Sequence, residues 1–230
     1  MKLIVVSENT RKDLIKDFKI ESKKTRKVLH GIDHETFHPI PSINRKNNQL
    51  ITTASADVPL KGLIFLIRAY ADLLKEFPDL ELLVIGRLRE GPTDQELKKE
   101  GIKEKVKFIS DLTGRQIAEL YAESTIAVSP SVYEGFGFPA GEAMSCGIPL
   151  ISTNGGSLPE VVGDAAIVVP HSNPKALKDA IKLLLKSPEK MLDLGNRGRK
   201  RVLEKFTWKR AAKELVEVYR EAIENANNRS

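Results

Sequence analysis

Apolar residues fall along this chain in two rhythms. Short unbroken runs, many of them β-branched, occupy residues 3–6, 27–29, 50–53, 80–85, 106–109, 125–128, 150–152 and 166–169. Runs of that length without polar alternation predict strands buried on both faces. Between them, apolar positions recur at helical spacing and predict helices over 61–76, 93–100, 114–122, 141–147, 174–185, 188–205 and 207–223. Strand followed by helix, repeated, predicts an α/β fold: a Rossmann-like, doubly wound parallel sheet. Ligands of such sheets sit beyond the carboxyl ends of the strands, so the loops after the strands are where chemistry is expected.

The rhythm breaks at residues 39–49, PIPSINRKNNQ, where Pro, Asn and Ser replace apolar periodicity and mark a linker. Ahead of it, residues 1–38 hold two short strands and one helix, too few to bury a core alone, and read as the tail of another domain. Residues 50–206 form the main domain, and residues 207–230 a final amphipathic helix with a polar end. A chain of 230 residues, 41% hydrophobic and 30% charged, suits one domain plus such a fragment.

Composition narrows the partners only a little. The net charge of +6 favours anions, yet Lys and Arg share helices with Glu and Asp. Aromatics at 6% and the lack of a recognition motif argue against nucleic acid. The lone Cys146 excludes an internal disulfide and fits a reducing compartment, here taken as the cytoplasm. It reads as packed rather than reactive. No apolar run approaches the roughly 20 residues that cross a bilayer. His30, His34, His38 and His171 lack metal-ligand spacing, so no metal is expected.

The densest chemistry lies in SVYEGFGFPAGEAMSCGIPLIST, residues 131–153. Glycines and Pro139 between the strand at 125–128 and a small-residue helix put Gly135, Phe136, Gly137 and Phe138 at a helix N-terminus. Free N–H groups and the positive dipole end there attract phosphate. Glu142, in the first turns, can accept bonds from a sugar diol, and Glu134 faces whatever adjoins the phosphates. Either glutamate alone would equally serve to stabilise the helix dipole. Lys61, in the loop after the strand at 50–53, is placed as a point charge on a diphosphate. Gly155 and Gly156, after the strand at 150–152, form a plain turn or admit a phosphate or sugar to the backbone.

Together VVSENTRKDLI, VLHGIDHETFHP, LKGLIFLIRAY, LLVIG, VKFISDLT, the run YEGFGFPAGEAMSCGIPLISTNGGSLPEVVGDAAIVV and FTWKRAAKELVEVYREAI resemble the retaining GT-B glycosyltransferases of family GT4, the group 1 transferases. The match runs almost end to end. It implies the C-terminal, donor-binding half of a two-domain enzyme, preceded by only the tail of the acceptor domain. The resemblance implies about 150 further residues of that domain ahead of Met1. By resemblance, Glu142 holds the donor ribose, Lys61 the diphosphate, and the amides of residues 135–138 the phosphate and transferred sugar. Glu134 contacts the sugar, and Leu112 lies where the family seats the base. Glu134 and Lys61 are the expected catalytic residues. Transfer of a hexosyl group with retained configuration, from a UDP-, GDP- or ADP-sugar and without a metal or other cofactor, is implied.

One departure stands out: the family carries an Arg where this chain has Ala56, and Arg87 is the candidate substitute. The expected partners are a nucleotide-sugar, an acceptor domain or subunit outside this chain, a membrane periphery, and a second copy of the chain. The competing reading is a stand-alone nucleotide-sugar-binding module or subunit. A nicotinamide dehydrogenase is disfavoured because no Gly-x-Gly-x-x-Gly turn follows the strand at 3–6 or at 50–53. A glycosidase would act without any nucleotide.

Overall fold

The computed structural model describes residues 2–54 and 58–227. Its centre is a six-stranded parallel sheet built from β3 (Gln49–Thr53), β4 (Glu81–Ile85), β5 (Val106–Ile109), β6 (Ile126–Ser129), β7 (Leu150–Thr153) and β8 (Ile167–Val169), in spatial order β5-β4-β3-β6-β7-β8. Counted from β3, that is the 3-2-1-4-5-6 order of a doubly wound sheet. Leu50, Leu82, Val84, Ile126 and Val128 point into one core, Ile51, Leu83, Ile85 and Ala127 into the other. Alternate residues of each strand thus bury on opposite faces, which is why the strands read as continuous apolar runs.

Helices α2 (Leu63–Leu74), α3 (Pro92–Lys99) and α7 (Pro174–Leu185) cover the first face. On the second lie α4 (Gly114–Glu123), α5 (Phe138–Ser145) and α6 (Leu158–Val162), and α8 (Pro188–Lys205) contributes to both cores. The N-terminal segment makes its own parallel pair, β1 (Leu3–Val5) and β2 (Thr25–Lys27), joined by α1 (Glu8–Asp17). Beyond it, Ile32 and Phe37 are buried in the second core of the main sheet. The chain's return stroke lies beside them: the Ile32 amide donates to the Phe206 carbonyl (2.7 Å), Arg210 Nη2 to the Leu29 carbonyl (2.9 Å), and α9 (Trp208–Asn227) then runs back to an Arg26–Glu221 ion pair. Trp208 packs one edge of its ring on Gly31 and leaves half of its surface exposed.

Several boundaries differ from the sequence expectation for identifiable reasons. The helix expected from Lys61 starts at Leu63, because Pro59–Lys61 forms a 3-10 turn and Gly62 takes a left-handed conformation before α2. The strand expected at 27–29 is Thr25–Lys27, where Thr25 is buried and its hydroxyl is bonded to Arg11 and the Ser22 carbonyl. The helix expected at 141–147 begins three residues earlier, at Phe138, because Gly137 and Pro139 set its start. The five residues of α6 are too few for periodicity to reveal.

Candidate functional site

β3 and β6 are neighbours, but the chain leaves β3 toward α2 on one face and β6 toward α5 on the other. Between their carboxyl ends is the switch point of the sheet, where a crevice opens. The two loops interlock there. The Leu60 carbonyl accepts the amides of Val132 (2.8 Å) and Tyr133 (3.3 Å). Gly62 has a φ of 64°, and a Cβ on it would lie 2.1 Å from the Pro130 carbonyl oxygen, so only glycine lets the loops close. That approach brings Lys61 Nζ to 2.7 Å from Glu134 Oε1, and Ser131 Oγ donates to the same oxygen at 2.8 Å. The pair is largely sheltered, with side-chain exposures of 30% and 12%, so its charge-assisted bond is well ordered.

The chain after Glu134 turns into α5 without any side-chain cap. Among the described residues, none of the N–H groups of Gly135, Phe136, Gly137 and Phe138 finds an acceptor. Four adjacent unpaired donors at the positive end of a helix dipole form a concavity suited to an anion. The loop is rigid from beneath. Ser157 donates its amide to the Glu134 carbonyl (2.9 Å), and its hydroxyl lies 2.9 Å from the carbonyls of both Glu134 and Phe136. The Thr153 hydroxyl donates to the Ser131 carbonyl. Gly155 and Gly156 serve this packing: a Cβ on either would meet the backbone of residues 131–134, at 2.4 Å from Ser131 O and 2.3 Å from Glu134 O respectively.

Glu142 lies in the second turn of α5. Its carboxylate is half-buried and accepts no hydrogen bond among the described residues. Burial, with a smaller contribution from the nearby Asp33 carboxylate, pushes its pKa up to about 7. Asp33 itself stays below the usual carboxylate range because Thr36 donates to it. Close by, the buried Tyr121 hydroxyl links the end of β3 to the start of α5, at 3.1 Å from Thr53 Oγ1 and 3.3 Å from the Pro139 carbonyl. Burial holds that phenol protonated by raising its pKa. A desolvated carboxyl left without a donor can take up two sugar hydroxyls with little rearrangement.

The structure therefore brings Lys61, Glu134 and residues 135–138 together at the crevice, with Glu142 on the same helix. Arg87 follows β4 and pairs with Asp111 after β5 (2.7 Å), both well exposed. Leu112, next to Asp111, is half-buried against the second core. Ala56 lies outside the described residues. Cys146 is 1% exposed and its thiol is pushed up to about 12 by burial, which makes it inert packing. His30 stacks near Phe136 and Phe138 at ring distances of 5.2 and 5.1 Å, and burial lowers its pKa. Among the described residues no cluster of His, Cys, Asp or Glu is arranged to hold a metal, and no helix is long and apolar enough to cross a membrane. Sequence reasoning missed Ser131, Tyr121 and Ser157, because isolated hydroxyl residues carry no spacing signal.

The N-terminal segment closes over this loop. The Glu8 amide donates to Glu160 Oε2 and Lys27 Nζ to Glu160 Oε1, both at 2.7 Å, while the Tyr133 hydroxyl donates to Asp13 Oδ2 at 2.6 Å.

Residues 33–201 match the family described as "Glycosyl transferases group 1". The chain is 38% identical over 225 residues to the MMP alpha-(1->4)-mannosyltransferase of Mycolicibacterium hassiacum, covering 96% of this chain and 54% of that protein. Its fold is that of Anabaena HepE, solved in complex with UDP and glucose (TM-score 0.83, 21% identity, 95% of this chain and 62% of that one). It also matches the C-terminal domain of a glycosyl transferase group 1 family protein from Francisella tularensis (TM-score 0.66, 25% identity, 77% of this chain and 99% of that one). The chain spans about half the length of the curated relatives it matches.

Proposed function

The chain belongs to the group 1 glycosyl transferases, and from that premise we propose that it is the donor-binding half of a retaining hexosyltransferase whose substrate is a nucleotide-diphosphate sugar. The single observation that carries this reading is the run of four unpaired amides at residues 135–138 opening α5, placed beside Lys61 at the switch point. The diphosphate sits on those amides and on Lys61, and Glu142 takes the ribose diol. Glu134 turns to the transferred sugar, and the base lies against the loop at Ser110 to Leu112. UDP, GDP and ADP are the carriers to test, the first because a fold neighbour was solved with UDP.

Charge builds on the diphosphate as the sugar departs. Amides fixed in advance, together with Lys61, stabilise that charge without reorganising. In retaining transfer the acceptor hydroxyl attacks from the face the diphosphate leaves, and a phosphate oxygen takes its proton. Residues 2–27 form the edge of the acceptor half: β1 and β2 make only a two-stranded parallel pair, and Ile4 is 40% exposed, whereas Ile32 and Phe37 belong to the core of the main sheet. Val216, Tyr219 and Ile223 of α9 are likewise exposed and offer that half a seat. The buried, lone Cys146 fits the reducing cytoplasm.

Calorimetric titration with UDP, GDP, ADP and their sugars tests the proposal. At least one binds, and Glu142→Ala weakens it by about 1–3 kcal/mol through loss of hydrogen bonds to a charged acceptor. Unchanged affinity in that variant removes the ribose assignment, and no binding by any nucleotide removes the donor reading.

A further inference from the structure

We propose that Ser157, a fully buried serine on the loop between β7 and α6, is a positioning residue that aims the amides of the anion-binding loop into the crevice; the proposal rests on the donor reading of that site. A trans peptide is planar, so the N–H of each residue points opposite to the carbonyl of the residue before it. Ser157 holds two alternate carbonyls of the loop. Its amide donates to Glu134 O at 2.9 Å, which leaves the hydroxyl proton free for Phe136 O, also at 2.9 Å. With both carbonyls drawn down toward Ser157, the N–H groups of Gly135 and Gly137 must face the other way.

The space beneath the loop is filled to contact by Gly155 and Gly156, whereas a Cβ built on Gly135 meets nothing within 4 Å. The hydroxyl is 0% exposed and has no water to turn to, so it stays committed to the carbonyls. A single residue on a neighbouring strand's loop thereby sets two of the four donor directions, that of Gly135 through its backbone amide and that of Gly137 through its hydroxyl. Phosphate binding needs those directions set before the ligand arrives, because a loop free to flip its peptides loses binding energy to ordering. Alanine at 157 leaves Phe136 O without its donor and frees the peptide between Phe136 and Gly137 to rotate.

The test uses Ser157→Ala in the ¹⁵N-labelled chain, with Ser145→Ala as control. Ser145 is equally buried and its hydroxyl likewise donates to a carbonyl, Phe37 O at 2.6 Å, but at the far end of α5. In Ser157→Ala the amide resonance of Gly137 shifts without nucleotide present, and that of Gly135 moves less because the amide of residue 157 still holds Glu134 O. Affinity for whichever of UDP, GDP or ADP the parent chain binds falls about tenfold, as expected for one lost hydrogen bond's worth of pre-alignment. Ser145→Ala lowers the unfolding midpoint comparably and leaves affinity and both glycine amides unchanged. Ser157→Cys, which keeps a donor at the γ position but a weaker and bulkier one, falls between. An unmoved Gly137 resonance in Ser157→Ala overturns the proposal, as does unchanged affinity. If the parent chain binds none of the three nucleotides, the donor reading fails on its own, and the amide shifts still decide whether Ser157 aims the loop.

Discussion

The two sides of the switch point are built differently. On the β6–β7 side, the loop at residues 130–138 is held by buried hydroxyls and by close backbone packing on Gly155 and Gly156. On the β4–β5 side, Arg87 and Asp111 meet through long exposed side chains that water and salt can replace. Lys61, in the loop after β3, is anchored to the rigid side through Glu134. Under the proposed function the contrast divides the labour within the site: the part of the donor that changes charge during reaction meets the fixed side, and the part that varies between donors meets the adaptable side. A developing charge gains most from dipoles that do not move. Recognition of a base tolerates side chains that do.

This contrast can be broken most sharply at Lys61. In an enzyme that contains the acceptor half, Lys61→Ala removes a cation from the leaving group and lowers kcat by about 100–1000-fold, the range for deleting one electrostatic stabiliser. Steady-state kinetics separates this from a KM effect. Next comes the pair of glycines within the fixed loop. Gly137 has a φ of 99°, and a Cβ there would come within 2.8 Å of Leu158 Cδ2. Gly137→Ala therefore costs about 1–3 kcal/mol of stability through backbone strain, read as a lower unfolding midpoint. Gly135→Ala has room and leaves the midpoint unchanged, yet its methyl enters the crevice and weakens donor affinity. Equal midpoints for both variants would show that the loop is not the rigid element described.

Glu142 gives a pH test of intermediate size. Its folded pKa, about 7, stands above its unfolded value of 4.5. The folded chain therefore binds the extra proton between those values, and stability falls as pH rises from about 4.5 to about 7. Glu142→Gln removes that loss. It stabilises the donor-free chain by about 1–3 kcal/mol at pH 8 and by little at pH 4, measured by denaturant unfolding at both pH values. Donor affinity of the parent chain rises over the same window as the carboxylate ionises. The smallest effect is expected at Arg87: Arg87→Ala leaves the unfolding midpoint unmoved and alters donor affinity less than any change on the fixed side.

Much of this was legible in the residues. The six central strands, the long helices α7 and α8, and the placing of residues 135–138 at a helix start all follow from apolar rhythm and from glycine and proline at set places. Lys61 and Glu134 were each legible as crevice residues, but not as partners. Their contact depends on strand order and on Gly62 admitting Pro130, which no local pattern encodes. Gly155 and Gly156 illustrate the same limit: a glycine pair announces close approach without saying to what. Ser157 and Tyr121 were invisible because a single buried hydroxyl looks like any other until its carbonyl partners are known. Short α6 escaped because five residues carry no period.

The central claim, that a diphosphate rests on the amides opening α5, is tested most directly by following amide resonances as UDP, GDP or ADP is titrated into the labelled chain. The account predicts that the largest shifts fall on Gly135, Phe136, Gly137 and Phe138, with Lys61 close behind. Shifts confined to the opposite edge of the sheet, where Lys46, Lys103 and Lys105 line the groove below β3, β4 and β5, would contradict it.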